Sequence, residues 1–293
     1  VLNSMQKRKY RVAILGSGNI GTDLLFKVQK SNILECTAFI GRSLTSQGMS
    51  NAIKLGAKVS DQSIQYVVDN VEKIDLVFDA TSAKDHLSHA VILKNIGVKC
   101  IDLTPANIGP MCIPSVNSNE CLNEVNISMV SCGGQASIPI AVAISNSHST
   151  IDYIEVVSSI ASKSAGPATR INLDEYIKTT ETGLKNFSGA KKTKAILILN
   201  PASPCINMTT TILAKVQNPN IKALKLELAE ISKKVKSYVP GYELILGPLV
   251  ENDRIIIMFK IKGLGDYLPE YAGNLDIINC AAIAMAEEYA RLS

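Results

Sequence analysis

The string Ser131-Cys132-Gly133-Gly134-Gln135-Ala136 sets one cysteine between a strand-like run, Val125 to Val130, and a helix-like run, Ile138 to Ser145. A thiol so placed is a candidate nucleophile. A strand-to-helix turn presents its side chain at an element edge, and the unpaired N–H groups and positive dipole end of the helix that follows favour thiolate. Gly133 and Gly134 let the backbone approach a bound carbonyl, so their amides are candidate donors to a developing oxyanion. The competing reading is an inert core thiol, because free cysteine is among the most buried residue types.

A second group with chemistry in it is Gly16-Ser17-Gly18-Asn19-Ile20-Gly21, entered from the strand-like Tyr10 to Leu15 and left through the helix-like Thr22 to Gln29. This is GxGxxG in the context that gives it meaning. The first glycine permits the tight turn and the second lets backbone approach a pyrophosphate. The third lets helix and strand pack closely, with the phosphates over the helix N-terminus. The acid that accepts from a ribose 2′-OH in NAD sites is expected after the second strand, where the chain reads Gly41-Arg42-Ser43. Since an arginine there accommodates the 2′-phosphate of NADP, NAD and NADP both stay open.

The elements that must hold these residues leave their own pattern. Strand-like runs recur at Leu34 to Ile40, Leu76 to Ala80, Cys100 to Leu103 and Val125 to Val130, with helix-like segments such as Ser50 to Leu55 and His86 to Ile96 between them. That alternation predicts an α/β fold with a parallel doubly wound sheet, a Rossmann dinucleotide-binding domain. Past the cysteine helix the pattern changes to longer strands, Ile151 to Ile160, Ala195 to Leu199, Tyr242 to Leu246 and Arg254 to Lys262. The amphipathic helix Ile221 to Val235 interrupts them. This half predicts an α+β catalytic domain with a mostly antiparallel sheet. The expected division is a dinucleotide-binding domain over 1–131, completed by a C-terminal helix within 271–293, and a catalytic and dimerisation domain over 132–270.

The chain has 293 residues and a formal net charge of +4 from 30 basic and 26 acidic side chains, without the clustered basic and aromatic residues that nucleic acid requires. No apolar stretch approaches the ~20 residues of a membrane span. Seven scattered cysteines, with no CxxC and no histidine at zinc spacing, predict a reducing, cytoplasmic setting and no metal site. Val1 to Lys9 lacks the apolar core of a secretory signal, and Met5 is the expected natural start with Val1 to Ser4 added ahead of it. His86, His89 and His148 are expected to be structural or solvated.

Several strings together carry a resemblance that spans nearly the whole chain: Gly16 to Leu24, Val77-Phe78-Asp79-Ala80-Thr81-Ser82-Ala83, Ile101-Asp102-Leu103-Thr104-Pro105-Ala106, Ser131 to Ala136, Ser162-Lys163-Ser164-Ala165-Gly166-Pro167, Asn200-Pro201-Ala202, Tyr238 to Tyr242, Tyr267-Leu268-Pro269 and Tyr271 to Ile277. The chain resembles the acylating acetaldehyde dehydrogenases of meta-cleavage aromatic degradation. The resemblance implies NAD and coenzyme A as co-substrates, a thioester on the cysteine matching Cys132, and a dehydrogenase catalytic domain. It also implies cofactor contacts at Gly16, Ser17, Gly18, Asn19, Ile20, Gly21 and Thr81, along the loop Ser164, Ala165, Gly166, Pro167, Ala168, Thr169, Arg170, Ile171 and Asn172, and at Asn274. A homodimer and a 4-hydroxy-2-oxovalerate aldolase that hands over acetaldehyde are the implied partners. Two departures stand out. The family's motif after Asn-Pro-Ala ends in Arg-Asp, with the aspartate serving the cysteine, whereas this chain has Thr209-Thr210. The stretch from Tyr242 to Tyr267 is also shorter than in the family.

The chemistry of the residues agrees with that family. Turning an aldehyde into a thioester needs a soft nucleophile that also leaves well and holds the acyl group while a second substrate arrives, and cysteine does both. The polar loop Ser162 to Arg170 is expected to close over the nicotinamide. Rival readings are a phosphorylating semialdehyde or acyl-phosphate reductase, which wants a basic phosphate pocket and a histidine, a non-catalytic NAD-binding subunit, and a cysteine hydrolase.

Overall fold

The computed structural model of the protein describes residues 8–293, apart from the side chains of Pro167 and Ala168, so the expectations for Val1 to Ser4 and Met5 lie outside the described residues. Its first sheet comprises β1 (Tyr10–Leu15), β2 (Leu34–Ile40), β3 (Val59–Ser60), β4 (Leu76–Asp79), β5 (Lys99–Asp102) and β6 (Asn126–Ser128). The order is β3-β2-β1-β4-β5-β6 and every pair is parallel. Strands buried on both faces must be apolar throughout, which is why Val12, Ala13, Ile14 and Leu15 run without a polar break. Helices α1 (Asn19–Lys30), α2 (Gln47–Lys54), α3 (Ile64–Asp69), α4 (Ala83–Ile96) and α5 (Pro114–Cys121) are the connections. The strand order reverses between β1 and β4, and a crevice opens at the carboxyl ends of the strands at such a point.

From β6 the chain enters α6 (Cys132–Ser147), crosses to β7 (Ile151–Ala161), and passes through α7 (Pro167–Ile171) and α8 (Leu173–Ser188) to β8 (Lys192–Asn200). There follow β9 (Met208–Val216), α9 (Ile221–Lys236), β10 (Tyr242–Glu251), β11 (Arg254–Ile261) and α10 (Gly273–Leu292). The second sheet has the order β10-β11-β9-β7-β8. Its pairs are antiparallel except β7 with β8, which are parallel because α8 carries the chain back to the same end. The sheet is thus mixed at one edge. Strand β9 lies in its middle, a strand that periodicity did not disclose.

One face of the second sheet presents Ile154, Val156, Ile212, Ala214, Ile257 and Phe259 to apolar residues of α6, α8 and α9 in one continuous core. The other face, with Val157, Leu213, Ile256 and Met258 part-covered and Ile196 and Ile198 of β8 39% and 45% exposed, has no element over it among the described residues. The short stretch from Tyr242 to Tyr267 is a hairpin that turns at Asn252 and Asp253, both in the left-handed region with φ 47° and 61°, as a two-residue turn requires. α10 returns to the first sheet: Lys27 Nζ meets Asp276 Oδ1 at 2.7 Å and Asn279 Nδ2 donates to Asp23 Oδ2 at 2.8 Å. Among the described residues no helix is long and apolar enough to cross a membrane.

Candidate active site

The chain leaves β6 through Val130 at φ +63°, a conformation that costs a β-branched residue about 1–3 kcal/mol and persists only where its surroundings enforce it. That bend makes Ser131 the N-cap of α6, its Oγ accepting the Gly134 N–H at 2.9 Å. Such a cap contributes about 1 kcal/mol to a helix. Gln135 fixes the helix from behind, donating to Cys112 O at 2.7 Å and Met129 O at 2.9 Å. Cys132 is consequently the first residue of α6 itself, not part of a turn ahead of a helix beginning near Ile138. It also packs at the seam where the two apolar cores meet.

Two expectations change at this helix start. The Gly134 amide is taken by Ser131 and is not available to an oxyanion. The Gly133 backbone is covered by the hydroxyl of Tyr176, a residue of α8 that the sequence reading did not single out: a Cβ on Gly133 would lie 2.2 Å from that oxygen. Burial pushes the Cys132 thiol up to about 11, opposed by hydrogen bonds from Tyr176 and from the N–H groups of Gly133 and Cys132 itself. Burial, then the adjoining Cys132 sulfur, raises the Tyr176 phenol well above its ordinary range.

Cys132 and Tyr176 open into a pocket at the switch point of the first sheet, lined also by Ile20, Thr81, Thr104, Thr169, Asn172 and Asn274. The structure therefore brings Ile20, Thr81, Thr169, Asn172 and Asn274, five of the expected cofactor contacts, to the expected nucleophile. The glycine turn lies beside them. Gly16 has φ +119° and a Cβ there would sit 2.4 Å from Ala80 O, so glycine is required. A Cβ on Gly18 would meet nothing within 4 Å, and no side chain caps α1, which leaves its first-turn N–H groups open to a phosphate. Asn274 is fully buried with both amide atoms unpartnered among the described residues, a donor–acceptor pair complementary to a carboxamide. These features fit a nicotinamide dinucleotide.

The stretch expected to be a polar loop is mostly helical. Ser162–Ser164 is a 3-10 turn and Pro167–Ile171 is α7, tied down by Arg170, whose guanidinium donates to Ala165 O at 2.9 Å and Ser162 O at 3.0 Å. Ser164 is buried and donates to Ala161 O at 2.8 Å, while Ile171 is 79% exposed and points away from the pocket lining. The side chains of Pro167 and Ala168 lie outside the described residues. Arg42 and Ser43 are exposed after β2, with no carboxylate beside them on that turn.

The histidines do structural work. Asp79 Oδ2 accepts from His86 Nδ1 and His89 Nδ1, each at 2.8 Å, and the same carboxylate accepts the Thr81 N–H at 3.1 Å, steadying a pocket residue from within the sheet. His148 binds Ile144 O and accepts the Asn220 N–H. Thr210 does not line the pocket: it is fully buried in β9 and hydrogen-bonds Ser158 at 3.0 Å. No cluster of metal-ligating side chains is present among the described residues.

Residues 132–269 match the family model described as prokaryotic acetaldehyde dehydrogenase, dimerisation, and residues 11–124 match semialdehyde dehydrogenase, NAD binding domain. The chain is 64% identical over 281 residues to the acetaldehyde dehydrogenase of Spirochaeta aurantia, covering 96% of this chain and 95% of that one. Identity to the Pectobacterium atrosepticum acetaldehyde dehydrogenase is 56% over 282 residues (96% and 95%), and to that of Geobacillus stearothermophilus 48% over 285 residues (97% of each). Among solved structures, aspartate semialdehyde dehydrogenase with NADP from Candida albicans superposes with a TM-score of 0.66 at 12% identity, covering 97% of this chain and 100% of that one, a likeness of fold alone. With near-complete coverage by relatives of one kind and a nucleotide crevice facing a cysteine at the start of a helix, the chain belongs to the acetaldehyde dehydrogenase family, NAD-dependent oxidoreductases that act on aldehydes.

Proposed function

We propose that the protein is an acylating enzyme, converting acetaldehyde or a short aldehyde and coenzyme A to acyl-coenzyme A with reduction of NAD, and that Cys132 carries the acyl group. The observation that carries this reading is the placement of Cys132 Sγ at the N-terminus of α6, in one pocket with the unpartnered amide of Asn274. Cys132 attacks the aldehyde carbon, forming the C–S bond while the carbonyl electron pair moves to oxygen. Bound between the glycine turn and Asn274, the dinucleotide supplies the hydride acceptor. Cys132 then holds the acyl group as a thioester until the coenzyme A thiol attacks and expels the cysteine sulfur. No lysine, arginine or histidine lines the pocket among the described residues, which counts against inorganic phosphate as acyl acceptor.

Residues 1–131 with the helix within 271–293 make the dinucleotide-binding domain in this reading, and 132–270 the catalytic and dimerisation domain, in a cytoplasmic enzyme. The cofactor contacts are Gly16 to Gly21, Thr81, the segment Ser164 to Asn172, and Asn274. Exposed Arg42 and Ser43, with no carboxylate to repel a 2′-phosphate, support use of NADP beside NAD. One assay tests acylation and cofactor together: NADH or NADPH formation from acetaldehyde with coenzyme A, with phosphate or arsenate, and with neither. Dependence on coenzyme A with comparable NAD and NADP rates is expected. Dependence on phosphate refutes the acylating reading, and silence in all arms refutes the enzyme.

The uncovered apolar face of the second sheet supports a homodimer, since a face of this kind is costly in water. Family resemblance alone supports the aldolase partner. On size exclusion the chain is expected to elute as a dimer, Ile256→Lys as a monomer, and the chain mixed with the aldolase as a larger complex. A monomeric parent or an unshifted mixture overturns the corresponding part.

A further inference from the structure

We propose that Tyr176 is a further catalytic residue, its phenol donating a hydrogen bond to Cys132 Sγ and so setting the sulfur's reactivity both as nucleophile and as leaving group. The inference rests on the reading of Cys132 as the acyl carrier. Tyr176 is the single titratable side chain besides Cys132 among the described residues that line the pocket; the remainder are hydroxyl, amide, proline and apolar side chains. The family's carboxylate is not there to replace it. Position 210 is a threonine whose hydroxyl is engaged by Ser158 inside β9.

The geometry is built for this contact. Tyr176 and Thr180 stand one turn apart on the face of α8 that meets α6. The Thr180 hydroxyl donates to Tyr176 O at 2.7 Å, so the Ser131 hydroxyl, 2.7 Å from Thr180 Oγ1, is the donor to it. The residue that caps α6 is thereby tied to the backbone that carries the phenol. A Cβ on Gly133 would lie 2.2 Å from the Tyr176 hydroxyl oxygen, so the phenol reaches over the first turn of α6 only because 133 is glycine. The phenol and the Cys132 thiol open into the same pocket over that turn, and with the sulfur ionised the phenol proton is directed to Sγ.

A phenol buried this deeply keeps its proton through neutral pH, so it serves as a donor and not as a base. When Cys132 attacks, its sulfur electron pair forms the C–S bond. When coenzyme A displaces it, that bond breaks and the pair returns to sulfur, which again accepts from Tyr176. The coenzyme A thiol proton goes to solvent, and Tyr176 gives up none of its own.

The test is alkylation of Cys132 by iodoacetamide in dinucleotide-free enzyme, followed by mass spectrometry of the Cys132 peptide in the parent and in Tyr176→Phe, which keeps the ring and removes the hydroxyl. Hydrogen bonds to ionised groups are the strong ones, so the variant is expected to react about tenfold more slowly at each pH between about 7 and 9, with kcat lowered and the aldehyde KM little changed. Gly133→Ala, whose methyl displaces the phenol, is expected to slow alkylation in the same way. Alkylation rates matching the parent in both variants overturn the proposal, even if kcat falls, because a merely structural tyrosine would leave the thiol unaltered. Retained activity in Cys132→Ser would instead overturn the acyl-carrier reading, so the two failures are distinguishable.

Discussion

Cys132→Ser is expected to lower turnover by about three orders of magnitude or more while NAD binding stays within a few-fold of the parent. The hydroxyl that replaces the thiol is a far weaker nucleophile at neutral pH, and no base stands by to activate it: Tyr176 is the only other titratable group in the pocket among the described residues, and burial keeps its proton on. A serine ester would also be a poorer acyl donor to coenzyme A than a thioester. The substitution leaves alone the glycine turn and Asn274, the contacts proposed for the dinucleotide, so a fluorescence titration with NADH should read as in the parent. The parent's own pH dependence is part of the same argument. With the Cys132 thiol pushed up to about 11 by burial, the reactive thiolate is a minor species at neutrality, and its fraction rises about tenfold per pH unit below that value. Acyl-enzyme formation in a rapid-mixing experiment should therefore climb steadily from about pH 7 to 9. A serine variant within tenfold of the parent, or a parent rate flat over that range, would show that the sulfur is not the reacting group or that it ionises by another route.

How much of this was legible in the sequence depends on the kind of signal. The glycine turn and the strands around it were readable because Val12 to Leu15 is apolar on both faces and runs straight into Gly16, and a parallel sheet allows little else. Cys132 was readable as a candidate for a similar reason, since two glycines after a cysteine at a strand end are hard to explain by packing alone. The start of α6 was not. It depends on Val130 taking a left-handed conformation that valine disfavours, and only the packed structure supplies the force for it. Strand β9 was hidden by its threonines at 209, 210 and 211, which carry little hydrophobic contrast although alternate residues are buried. α8 was hidden by Thr179, Thr180 and Thr182, poor helix formers that win their place through packing on α6. Tyr176 sits on that unreadable helix. No spacing relation in the chain links residue 176 to residue 132, and the contact is made only when α8 is laid on α6.

Thr210→Asp is expected to destabilise the protein without restoring a base. The family resemblance implies an Arg-Asp pair at this place, and here both residues are threonines, Thr209 and Thr210. Thr210 is 0% exposed on the covered face of β9, and the partner available to its side chain is the Ser158 hydroxyl, so a lone carboxylate at 210 would be desolvated with one neutral donor. The effective penalty for burying an unpaired charge is several kcal/mol, which the group relieves by holding its proton and so by ceasing to be a base near neutrality. The sign follows: a carboxyl whose pKa is raised on folding favours the folded state below its unfolded pKa near ~4, and destabilisation grows as pH rises from there through the folded value. A thermal melt should accordingly show Tm lowered by about 5 °C or more at pH 8, with a smaller deficit near pH 5, and no gain in acyl-enzyme formation at neutral pH. An activity gain at pH 7 in the single variant, at undiminished Tm, would mean that position 210 reaches Cys132 after all, and would take from Tyr176 its place as the sulfur's principal side-chain partner.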